Sequence, residues 1–203
     1  MTSSSISLNQ ARTTVSIAVW GALMAAGAYV AVPMGPVPIT LQTFFIFLAG
    51  FVDGPKAALA ALLYIGAGFL GLPVFTGGLA GPAVFLAPTV GYLLSFPLAA
   101  FIAGLGAKAI ASSKENLGKS KATCWLKLFL LGILATIVIY VLGAIGLMIN
   151  VGMTPAVALG ANLIFIPGDA LKIAAAASTA LGLSLRAPFK KSKAKANTDS
   201  VKK

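Results

Sequence analysis

The sequence predicts an all-α membrane protein: a bundle of six transmembrane helices with both termini cytoplasmic. Three observations predict it. Of the 203 residues 59% are hydrophobic and 9% charged, against roughly 25% charged in an average soluble domain, so polar side chains are too few to coat a water-facing surface. The charge-free runs 13–52 and 57–107 are each about twice the length that crosses a bilayer core, or more, so each must fold back on itself. Finally, of the 15 Lys and Arg, all but Lys172 fall on one side of the topology this folding creates, which the positive-inside rule makes the cytoplasm.

Taken in order, residues 1–12 are a cytoplasmic segment without a basic signal-like start, so the first apolar run is read as a retained span rather than a cleaved leader. Helix 1 is placed at 13–32. Pro33, Gly35, Pro36 and Pro38 break the run into an outer loop, 33–39. Helix 2, at 40–52, is short and ends at Asp53-Gly54-Pro55-Lys56. Helix 3, at 57–71, is followed by a Gly/Pro loop without charge, 72–87, and helix 4, at 88–108. Lys108 to Lys127 is a polar cytoplasmic break, helix 5 runs over 125–149, and Asn150 to Pro155 is a turn. Helix 6 occupies 160–185. The Lys/Ser/Ala tail, 187–203, holds too few apolar residues to pack and is expected to be disordered.

Composition excludes much chemistry. Histidine is absent and Cys124 is the single cysteine, so no internal disulfide, Cys/His metal centre or Ser-His or Cys-His dyad can form. The net charge of +11 is explained by lipid topology, and no nucleic-acid partner is expected. Gly66-Ala67-Gly68-Phe69-Leu70-Gly71 spells G-x-G-x-x-G, but it lies in an apolar span with no strand before it, so close helix packing accounts for it better than a dinucleotide. Gly118-Lys119-Ser120 lacks the first glycine of a phosphate loop. ATP-driven work would therefore come from a partner.

Asp169 and Lys172 are the acid and base placed inside an apolar span, where each costs roughly 2.5–3.5 kcal/mol at a helix centre. Three residues apart, they share a helical face. A self-satisfied ion pair and a binding site for a polar ligand entering from outside are both compatible with that. Thr40 and Gln42 at the start of helix 2, with Thr89, Gly91 and Tyr92 at the start of helix 4, gather at the same outer level, although Thr40 and Thr89 are equally suited to capping. Phe75, with Gly77 and Gly78, would form an apolar wall on a pliable loop able to close over a small ligand. Ala18 and Ala22 give helix 1 a small-xxx-small spacing for close approach of another helix, inside the bundle or from another protein.

These residues together resemble a known family. Val37-Pro38-Ile39-Thr40-Leu41-Gln42-Thr43, Gly54-Pro55-Lys56, Tyr64 through Phe75 with Gly77-Gly78, Pro88-Thr89 with Gly91-Tyr92, and Pro167-Gly168-Asp169-Ala170-Leu171-Lys172 are similar to BioY, the biotin-specific substrate-binding (S) components of energy-coupling-factor (ECF) transporters. Ala87 and Val90 stand where the family usually has glycine. The resemblance implies an S-component-like bundle over 13–186 in the bacterial cytoplasmic membrane that captures biotin at its outer face. It also implies an ECF transmembrane coupling subunit, docked through Ala18 and Ala22, and two cytoplasmic ATPases that alone use ATP. Biotin is then a transported ligand, with no cofactor and no catalysis. Lys172 is implied to meet the valerate carboxylate or another polar group, and Asp169 a ureido N–H, with the ends reversible. A transporter for another small carboxylate, a partner-independent biotin transporter and an intramembrane enzyme using Asp169 and Lys172 are the alternatives.

Overall fold

A computed structural model describes residues 2–112 and 120–184. The tail at 187–203 and most of the Gly118-Lys119-Ser120 motif lie outside the described residues. Helix α1 spans Thr2–Tyr29, α2 Gln42–Asp53, α3 Ala57–Phe69, α4 Val90–Ser112, α5 Lys121–Val151, α6 Pro155–Gly160 and α7 Ile166–Ser184. Among the described residues four stretches are long and apolar enough to cross a membrane: Gln42–Phe69, Val90–Ala111, Lys121–Val151 and Pro155–Leu183.

The first of these is a hairpin rather than a rod. A straight helix would put Gln42 and Tyr64 about 33 Å apart, yet Gln42 Nε2 donates to the Tyr64 hydroxyl at 2.6 Å. The chain reverses at the 3-10 turn Gly54–Lys56, where Gly54 adopts φ 70°, a left-handed value that disfavours any other residue. The fold-back expected from Asp53-Gly54-Pro55-Lys56 is thus present.

Elsewhere the elements differ from the sequence reading. Helix α1 begins at Thr2 and runs through position 12, because residues 2–12 hold neither Gly nor Pro and nothing stops the helix. The expectation of a purely helical chain meets one exception: β1 (Ala31–Val32) pairs antiparallel with β2 (Ile39–Thr40), the proline-rich loop folding into a minimal hairpin. The sixth apolar segment is divided into α6, a 3-10 turn at Ala161–Phe165, and α7. Pro167 sits in the first turn of α7, where its missing N–H is tolerated.

Small residues set how closely the helices meet. Helix α4 packs against α2, α3 and α5, with Ala99, Ala100 and Ala103 fully buried. Gly91 lies against Gly146 of α5 with no room for a β-carbon on either. At one end of the bundle Asp53 accepts from the Ser16 hydroxyl and from Trp20 Nε1 at 3.1 Å, and Lys56 reaches Thr13 at 3.3 Å, fastening α1 to the hairpin turn. At the opposite end Leu41 N donates to Gly27 O at 3.1 Å and holds α1 against the start of α2. The outer faces are apolar: Leu62, Leu98, Leu130 and Ile137 are about half exposed, as lipid contact requires.

Candidate functional site

A cavity of about 60 Å³ opens at the end of the bundle that carries the 33–39 and 72–87 connections. Its lining comes from several pieces of chain. Helix α2 presents Gln42 and Thr43 in its first turn, β2 adds Thr40, the 72–87 loop adds Phe75 and Thr76, α4 contributes Tyr92 and Phe96 with Thr89 just before it, and α5 and α7 contribute Tyr140, Asp169 and Lys172.

The polar centre is a closed network. Asp169, 5% exposed, accepts from Thr43 Oγ1 at 3.0 Å and Lys172 Nζ at 2.9 Å on Oδ1, and from the Tyr140 hydroxyl at 2.9 Å on Oδ2. Lys172 Nζ also donates to Thr43 Oγ1 at 3.1 Å. Asp169 lies in the first turn of α7, where the helix dipole favours a negative charge. The i,i+3 spacing left an intrahelical ion pair and a ligand site both open; the ion pair is present, and its members also line the cavity. Removing one partner from such a buried pair strands the other charge.

A second set surrounds Gln42, whose Oε1 accepts from Thr40 Oγ1 at 2.8 Å and from Thr76 Oγ1 at 3.5 Å while Nε2 binds Tyr64. Phe75 is 1% exposed and aims inward. It meets Tyr64 and Phe69 edge-on, with ring centroids 5.3 and 5.8 Å away, and rests on Gly68, where a β-carbon would overlap the ring. Gly68 of the G-x-G-x-x-G run is thus a seat for an aromatic side chain.

Of the residues singled out from sequence, Asp169, Lys172, Tyr92, Thr89, Gln42, Thr40 and Phe75 surround this one cavity. Gly91, Gly77 and Gly78 do not line it. Gly91 faces α5, and Gly77 and Gly78, with φ of 73° and 75°, form the turn that directs Phe75 inward. Ala18 and Ala22 are exposed on α1, flanking the buried Gly21, which packs against Ala60. Sequence reasoning passed over Tyr140, Phe165 and Asn162. A hydroxyl or amide within an apolar span was the available signal for Tyr140 and Asn162. Phe165 carries none, since apolar residues are ordinary there.

The model of the BioY family matches residues 1–189. A protein of Pyrococcus horikoshii described as a probable biotin transporter BioY is 42% identical over 161 residues, covering 79% of this chain and 88% of that one. The biotin transporter BioY of Thermotoga maritima is 36% identical over 182 residues, 85% and 95% of the two chains. Among solved structures, the S-component for biotin from an ECF-type ABC transporter is similar with a TM-score of 0.76 and 28% identity, covering 87% of this chain and 92% of that one.

Proposed function

The chain belongs to the BioY family, and on that premise we propose that it captures biotin at the outer face of the cytoplasmic membrane for ATP-driven uptake. It is a transporter component and not an enzyme. In this reading six helices span the bilayer with both termini cytoplasmic, α2 and α3 each supplying one arm of the hairpin. Residues 13–186 form the biotin-binding bundle, and the segments 1–12 and 187–203 lie on the cytoplasmic side. An ECF transmembrane coupling subunit docks on the exposed Ala18 and Ala22 face, and two cytoplasmic ATPases consume the ATP. Biotin is cargo, and no cofactor takes part.

The observation that carries the reading is the buried, mutually neutral Asp169–Lys172 pair lining a cavity. Because Asp169 already balances the ammonium, the pair favours an uncharged head group with an acceptor flanked by donors. The ureido ring has that pattern: its C=O accepts the remaining Lys172 N–H, and a ureido N–H donates to Asp169. The valerate carboxylate then lies toward the Thr89 hydroxyl and the second Nε2 N–H of Gln42, since the Thr40 and Thr76 hydroxyls already donate to Gln42 Oε1.

A cavity of about 60 Å³ is smaller than the roughly 150 Å³ that accommodates benzene in an engineered core. Capture of a bicyclic ligand thus requires the site to enlarge, and departure of Phe75 from its seat on Gly68, with the loop flexing at Gly71, Gly77, Gly78 and Gly81, all at positive φ, is the movement we propose. The test is equilibrium binding of labelled biotin to the purified chain, beside Asp169→Asn and Lys172→Ala. Saturable binding lost in both folded variants supports the reading, and no binding by the folded parent rejects biotin as the ligand.

A further inference from the structure

Asn162 is 4% exposed and stands behind the cavity wall rather than in it. Its Nδ2 lies 3.3 Å from Tyr140 O and 3.4 Å from Ala158 O. Backbone carbonyls only accept, so this end of the amide must be the NH2 group, and the opposite end, Oδ1, must accept. The Tyr92 hydroxyl is 2.8 Å from Oδ1, so Tyr92 is obliged to donate its proton there. Only oxygen lone pairs of Tyr92 remain for the cavity. The ring has little freedom to escape this arrangement, since it lies over Gly143 with no space for a β-carbon beneath it.

Other protons around the cavity are committed as well. A carboxylate accepts only, so Tyr140 and Thr43 both donate to Asp169. Of these groups, Lys172 keeps one N–H, since two are engaged with Asp169 and Thr43. The cavity around Asp169 therefore offers mostly acceptors.

We infer that Asn162 is a specificity-determining positioning residue: by taking the Tyr92 proton it makes Tyr92 an obligate acceptor, matched to an N–H of the ligand. The inference rests on the biotin reading, and the N–H concerned is a ureido one. A ligand with an ether oxygen at that position would set lone pair against lone pair, leaving both without a proton.

Two measurements test it. In the ligand-free protein, ultraviolet resonance Raman difference spectra against Tyr92→Phe isolate the Fermi doublet of Tyr92, whose intensity ratio reports whether a phenol donates or accepts. The parent is expected to give the donor pattern and Asn162→Leu to lose it, and an unchanged doublet overturns the inference whatever the ligand is. Biotin binding is then compared across Tyr92→Phe, Asn162→Leu and the double variant. About tenfold weakening in each single variant, with no further loss in the double, is expected of residues acting through one hydrogen bond, and multiplying losses overturn it. The preference for biotin over its two cyclic carbamate analogues, each with oxygen in place of one ureido N–H, is expected to narrow by about tenfold in Asn162→Leu for one of the two. Unchanged preference for both overturns it too. A folded parent that binds no biotin, with the Raman change intact, rejects the biotin reading while supporting the proton assignment.

Discussion

The Tyr64 hydroxyl accepts a 2.6 Å hydrogen bond from Gln42 Nε2 across the arms of the α2–α3 hairpin. Gln42 is 4% exposed and Tyr64 2%, so both polar groups depend on each other and on Thr40 and Thr76 for partners. The bond links the first turn of α2, where the site begins, to the helix on which Phe75 is seated.

Replacing Gln42 by Leu strands the Tyr64 hydroxyl, and about 1–3 kcal/mol of stability is expected to be lost. Adding Tyr64→Phe removes the stranded group, so the double variant is expected to regain part of the loss. Denaturant unfolding in detergent measures the cycle, and a double variant less stable than Gln42→Leu alone contradicts the account.

The buried ion pair gives a similar asymmetry with larger numbers. Lys172→Met leaves Asp169 charged and unbalanced and is expected to destabilise by about 3–5 kcal/mol, whereas Lys172→Met with Asp169→Leu is expected to be closer to the parent. Neither variant is expected to bind biotin. Melting temperatures with binding isotherms separate the two effects, since stability returns in the double variant and binding does not.

Gly68→Ala places a methyl group where the Phe75 ring rests. The ring is expected to be expelled, with about 1–3 kcal/mol lost to overpacking, and faster amide exchange over 72–87 is the direct readout. Phe75→Ala in the same chain is expected to abolish most of the Gly68→Ala penalty, because the clash then has no second partner.

Bulk on the exposed side of α1 tests the proposed docking face. Ala18→Trp and Ala22→Trp project away from the core, so biotin binding by the isolated chain is expected to stay within about twofold of the parent. Co-purification with the coupling subunit, and uptake, are expected to fall at least tenfold. Full uptake in both variants places docking elsewhere.

The hairpin reversal and the polar centre were legible in the sequence for local reasons. Gly54-Pro55 stands between Asp53 and Lys56 at the boundary of two charge-free runs, where a turn is expected, and two charges three residues apart in an apolar helix must share a face. The role of Gly91 was not legible, because a glycine beside a site looks the same whether a ligand or another helix approaches it. Its contact with Gly146 exists only once α4 and α5 are packed.

By itself the sequence determined the membrane class, the fold-back points and the pair Asp169–Lys172, since each follows from chain length, helical period or the cost of charge in hydrocarbon. Tertiary structure decided who completes the site. Thr43 meets Asp169 from 126 residues away, Tyr140 from 29, and Asn162 meets Tyr92 across 70. No local rule encodes which helix faces converge. Only packing at the small residues Gly91, Gly143 and Gly146 brings α4 and α5 close enough for those hydroxyls, amides and the carboxylate to settle which atoms keep a proton.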